Sequence, residues 1–185
     1  MSMSLAAESV EPRLADGKIR VAAPQLHFVM GRALERLHNG APVPFAIQLA
    51  LSTDRWLTVV QRDIERFVMS YDLWEEKFSI SKLGSPRKAV SHLSARAAEA
   101  WCVEELAVPP PGISEQQPFW LRVEVRSENP GDADARLLTE EGVSLTRLVE
   151  LFSRRVRNEQ TRWVAEAGPF RLASLTRARR VGGGE

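Results

Sequence analysis

The sequence predicts an α+β protein, a mainly antiparallel, curved β-sheet of about five to six strands with two or three amphipathic helices packed on it. Three observations predict this class. Apolar residues alternate with period two in several separate segments, as in Phe45, Ile47, Leu49 and Leu51. Other segments repeat at helical spacing, as in Leu145, Leu148, Val149, Phe152 and Val156. Most successive strands are joined by turn-forming residues rather than helices, which is the wiring of an antiparallel sheet.

The elements follow in order. Residues 1–16 are small, polar and aperiodic, and read as a loose arm. Ile19, Val21 and Ala23 alternate in a short strand that Pro24 stops. Leu26, Met30, Ala33, Leu34 and Leu37 then share a helical face, and Asn39, Gly40 and Pro42 stand where a helix end is expected. The strand Phe45–Ser52 buries its four large side chains, worth roughly 1.5–3 kcal/mol each as an upper bound. Gln48 and Ser52 make its other face half-solvated. Trp56 is expected to cover the sheet edge or the adjacent loop.

Phe67, Met69, Tyr71 and Leu73 alternate, and after "DLWEE" Phe78 and Ile80 resume the pattern, giving two consecutive strands or one strand bulged near Trp74. Ser85 as N-cap and Pro86 at the first helical position predict a helix with Ala89, Val90, Leu93, Ala97, Ala100 and Trp101 inward, ending near Leu106 before "VPPPG". Phe119, Leu121, Val123 and Val125 face inward on the next strand, with Arg122, Glu124 and Arg126 outward. An acidic loop and a third helix capped by Ser144 follow, then one or two strands in residues 161–175. The predicted organisation is an arm over 1–16, one domain over 17–175, and a basic, glycine-rich tail over 176–185.

With 185 residues the chain suits one domain with a real core. The net charge of +1 hides an asymmetry: residues 150–185 hold eight arginines against four glutamates, net +4, which leaves −3 for residues 1–149. Arg154, Arg155, Arg157, Arg177, Arg179 and Arg180 are therefore the candidate contacts for an anionic surface, nucleic acid or lipid, although a solvated helix end plus a frayed tail is the simpler and favoured explanation. The single Cys102 excludes an internal disulfide and reads as a small buried hydrophobe. No apolar run is long enough for a transmembrane segment. Without a basic n-region and apolar h-region, the sequence as written reads as cytoplasmic, and as periplasmic or envelope-associated if a leader has been removed.

No catalytic constellation emerges. His27 and His38 fall on one predicted helix but eleven residues apart, and His92 lies elsewhere, so no metal and no cofactor is expected. Asp132 and Asp134 lack the glycine and glutamate that a calcium loop requires. Asp63 and Glu65 share a strand face, but Arg62 and Arg66 beside them favour a rim of screened ion pairs. Charged residues otherwise fall on the polar phase of their elements, which argues against an enzyme.

The segment Ala33–Leu51, with Arg55 and Trp56 after it and the strand carrying Ser70 and Tyr71, resembles an uncharacterised bacterial family, a domain of unknown function. The resemblance spans about residues 16–127, with an echo at Pro169–Leu175. Members are small and usually begin with a secretion signal. The resemblance implies a fold and an envelope setting, and no reaction or cofactor. This chain departs from the pattern by its missing leader and by the helix at residues 142–157.

The expected function is thus a non-catalytic binding or protein-interaction module, with an unidentified protein as partner. Two other readings stay open. One is a carrier of a small apolar ligand in a cavity lined by Phe67, Met69, Tyr71 and Phe119. The other is binding of nucleic acid or an anionic membrane through the C-terminal arginines.

Overall fold

The computed structural model describes residues 10–55, 58–128 and 162–175. Among the described residues, nine strands form two antiparallel sheets, accompanied by three short helices, so the predicted α+β class is the observed one. A hairpin of β1 (Glu11–Ala15) and β2 (Lys18–Ala22) joins the two-residue β7 (Ala107–Val108) in a three-stranded sheet. The larger sheet runs in the order β6 (Lys88–Leu93), β5 (Lys77–Leu83), β4 (Val59–Asp72), β3 (Val43–Ser52), β8 (Phe119–Ser127) and β9 (Arg162–Phe170). Helix α1 (Gly31–His38) packs on β3 and β4, and α2 (Ala95–Glu104) packs on β2, β5 and β6. A single helical turn at residues 172–175 follows β9.

One face of the large sheet holds the core. Register places Val43, Phe45, Ile47 and Leu49 of β3 opposite Met69, Phe67, Glu65 and Asp63 of β4, and Ile47 and Leu49 also opposite Val125 and Val123 of β8. Ile19 and Val21 of β2, Val108 of β7, Leu37 of α1, and Cys102 and Val103 of α2 close over these residues. The strand phases of the apolar residues on β3, β5 and β8 are as the alternation predicts, because burial of one face selects a register that a one-residue slip would invert.

The expected loose arm is corrected from Glu11 onward, where the chain is strand β1. The Asp16–Gly17 pair turns it into β2, with φ of 52° and 71°. A type I′ turn needs positive φ at both central residues, and Asp–Gly is among its preferred pairs. The first helix begins at Gly31, not Leu26, so Leu26, Phe28 and Val29 are buried from a loop. That loop is held by Glu99 of α2, only 5% exposed, whose Oε1 accepts from the backbone N–H groups of Phe28 and Val29, both at 2.7 Å. His27 Nδ1 lies 2.9 Å from the other carboxylate oxygen. With its N–H groups taken by a side chain from elsewhere, this stretch does not enter the helix.

The second helix is also shorter than expected. Ser85 and Pro86 do not start it; Ala89, Val90 and Leu93 belong to β6, which gives β5 a hydrogen-bonded neighbour. The helix starts after Ser94, whose Oγ accepts from the Ala97 N–H at 3.3 Å. Both faces of β3 are buried along its whole length, so Gln48 and Ser52 are not half-solvated as their polarity suggests. Trp56, the acidic loop and the helix capped by Ser144 lie outside the described residues.

Candidate functional site: an exposed tryptophan on a braced hairpin

Strands β4 and β5 meet at a four-residue turn, Leu73 to Glu76, so the sequence between the two alternating segments is a hairpin tip. Asp72 begins it. Its Oδ1 accepts from the N–H of Trp74 at 2.8 Å and of Glu75 at 3.0 Å, the turn-stabilising habit of aspartate. The N–H of Glu75 and then that of Trp74 hold the Asp72 carboxyl below its ordinary value. Glu76 closes the turn at φ 54°.

The base of the hairpin is stiff. Tyr71 and Phe78, paired across the strands, have ring centroids 4.8 Å apart, and the His38 ring of α1 lies 4.7 Å from Tyr71. Glu75 Oε2 pairs with His92 Nε2 of β6 at 2.9 Å. Above this base Trp74 is 95% exposed, and its neighbour Leu73 is also exposed. A monomer gains nothing from projecting its largest apolar side chain into water, whereas aromatic anchors on rigid turns are what protein interfaces use.

A second polar cluster lies where β4 runs under the end of α2. Asp63 and Glu65 share a face, as their spacing predicts, but that face is the core face, in phase with Phe67 and Met69. Neither forms the expected rim with Arg62 and Arg66, which point to the opposite side of the sheet. Glu65 Oε1 pairs with Lys82 Nζ at 2.7 Å, Lys82 reaches Glu105 at 3.4 Å, and Lys88 holds Glu105 at 2.8 Å. Asp63 Oδ2 accepts from the Ala107 N–H at 2.8 Å. Burial pushes the Asp63 and Glu65 carboxyls up, against the pull of the Ala107 N–H and of Lys82 respectively. Burial also acts upward on Glu105, but Lys88 and Lys82 outweigh it and leave that carboxyl lowered. Each acid is committed to a partner on another element, so the cluster acts as a clasp joining β4, β5, β6, β7 and the end of α2.

Of the side chains expected to line an apolar cavity, Phe67, Met69 and Tyr71 follow one another on one face of β4, whereas Phe119 lies apart from them. Phe67 and Met69 are fully buried near one end of the large sheet, Phe67 edge-on to Trp101 with centroids 5.9 Å apart. Tyr71 belongs to the hairpin base. Phe119 packs on Phe170 at 5.9 Å, two residues beyond Leu121, which opposes Leu51, whereas Phe67 opposes Phe45. Along the strand direction that separation is about 26 Å at roughly 3.3 Å per residue.

Arg154, Arg155, Arg157, Arg177, Arg179 and Arg180 lie outside the described residues. His27 and His38 do not share a helix, since His27 is in the loop held by Glu99. Among the described residues no three of His, Cys, Asp and Glu gather as a metal site, and no helix is long and apolar enough to cross a membrane. Cys102 is fully buried.

Sequence reasoning missed the exposure of Trp74. The signal was its setting in "DLWEE", a turn opened by aspartate and flanked by acids rather than by strand. Comparison with known proteins finds no matching family model, no similar curated protein and no similar solved structure.

Proposed function

We propose that this protein is a non-catalytic interaction module that inserts Trp74, at the tip of the β4–β5 hairpin, into an apolar pocket of a partner protein. The 95% exposure of that side chain on a turn braced by Asp72 carries the reading. Burying a tryptophan of about 200 Å² is worth roughly 5 kcal/mol as an upper bound, and a rigid turn loses little entropy on docking. Asp72, Glu75 and Glu76 flank the indole, so the matching pocket carries basic groups on its rim. An envelope setting belongs to the same proposal, supported by the resemblance to secreted bacterial proteins.

The test places a photo-crosslinking amino acid at position 74 in the producing cell, with the same group at exposed Lys18 as control, and then purifies the captured protein. Its affinity for the wild-type chain is expected to fall at least tenfold with Trp74→Ala. Equal adducts from both positions, or unchanged affinity of the Trp74→Ala chain, overturns the proposal.

A further inference from the structure

The edges of the two sheets are not alike. β9, at one edge of the large sheet, carries Pro169, and β1, at an edge of the small one, carries Pro12. Proline has no N–H to offer an added strand. β6, the other edge of the large sheet, has no proline. It is hydrogen-bonded to β5, and among the described residues no backbone group of another element bonds to it. Every residue along it is exposed or half-buried. A register shift between Phe78 and Ile80, with His92 at φ 60°, ends its regular backbone. Lys88 to Ser91 are left as an open template for a further strand.

The charges at the two ends of this edge select its occupant. Glu76 stands at the hairpin tip and Arg87 at the opposite end, before β6; both are exposed, and neither has an ion pair among the described residues. A second copy laid antiparallel about a twofold axis at Val90 sets Val90 opposite itself and Ala89 opposite Ser91. Val90, packed on the core but only half-buried, gains a β-branched neighbour. Ala89 and Ser91 are too small to obstruct the approach. This pairing also brings Arg87 of the second copy near the level of Lys77, one residue from Glu76 and two strand spacings, about 9.6 Å, across the sheet. Two long side chains span that gap. A parallel pairing would instead set Glu76 beside Glu76. An unrelated extended segment would have to supply both charges, whereas the second copy already carries them.

We infer that the protein pairs with a second copy of itself through antiparallel β6 strands, joining the two large sheets into one continuous sheet. The pairing uses β6 and the charges at its ends rather than the indole of Trp74, so it does not rest on the docking proposed for that side chain. Four residues supply few hydrogen bonds, which makes this a weak, transient dimer. The experiment follows the full chain by sedimentation equilibrium at rising concentration, up to millimolar. A monomer–dimer equilibrium is expected. The double variant Ala89→Lys, Ser91→Lys, which sets like charges across the twofold, is expected to weaken it at least tenfold. Its unfolding midpoint in dilute solution should match wild type, since both positions are exposed. Arg87→Glu alone is expected to weaken association roughly fivefold, the worth of two screened ion pairs, and Glu76→Arg in the same chain to restore it. A chain that stays monomeric at millimolar concentration, which would leave the edge to a foreign strand, overturns the inference. So does association unchanged in the lysine variant, or an Arg87→Glu loss that Glu76→Arg deepens.

Discussion

At the scale of single residues, Glu99 shows how one buried acid decides a local path of the chain. Its carboxylate accepts from two backbone N–H groups of a loop some seventy residues earlier, and thereby seats Phe28 against Phe45, ring centroids 5.1 Å apart. Glu99→Ala strands both donors in the core, and a stranded buried donor costs about 1–3 kcal/mol. Destabilisation of roughly 2–5 kcal/mol is therefore expected in urea unfolding at neutral pH, with Glu99→Gln losing less because its amide oxygen still accepts. Trp74→Ala is the contrast. A side chain 95% exposed contributes no core contact, so its removal should shift the same unfolding midpoint by less than about 0.5 kcal/mol.

At the scale of elements, acids on the two faces of the large sheet have opposite effects on the pH dependence of stability. Burial raises the Asp63 carboxyl above its usual 3.8, so the folded chain holds that proton more tightly than the unfolded one. Stability from this site is present below the usual value and is lost as pH rises through the raised one. Asp63→Asn, which keeps an oxygen for the Ala107 N–H, should become progressively more stable relative to wild type as pH climbs above 3.8. Glu124 behaves in the reverse sense. Burial works to raise it, but the hydrogen bonds from Arg162 and Arg126 outweigh burial and hold it below 4.5. Its contribution is complete above 4.5 and fades as pH falls through the lowered value. Denaturant titrations from pH 3 to 7 on Glu124→Gln should accordingly show a shallower acid loss than wild type.

The whole molecule is reported by Cys102, which α2 buries in the core. Burial, followed by the nearby charges of Glu99 and Glu105, pushes its thiol far above the ordinary range, and the thiolate is the reactive form. A thiol reagent should therefore label the native chain only as fast as global unfolding exposes it, with rates that climb alongside denaturant. Rapid labelling in buffer alone would show that α2 opens separately from the rest.

The sheet was readable one strand at a time. Phe45 to Leu51 and Phe119 to Val125 advertise their buried faces, because alternation is a local property that every apolar side chain in the run repeats. Asp16–Gly17 carried a hairpin signal of the same local kind, hidden by the polar composition around it. The helices were less readable, since Ala89, Val90 and Leu93 suit a helical stripe as well as the edge strand they form. Their state depends on whether β5 already has a neighbour, and sequence spacing carries no record of that.

From the amino-acid order alone came the α+β class, the apolar phase of most strands, and the burial of Cys102. Tertiary structure decided which polar residues went inside. Asp63 and Glu65 lie on the core face because Lys82 and the Ala107 N–H, supplied by distant segments, offset part of the cost of burying them. Gln48 and Glu124 are buried on the other face for a reason equally invisible locally, since a polar side chain can leave water only where folding brings it a partner or a cover. Trp74 is exposed by the same logic in reverse: the turn places it where no element of its own sheet can reach.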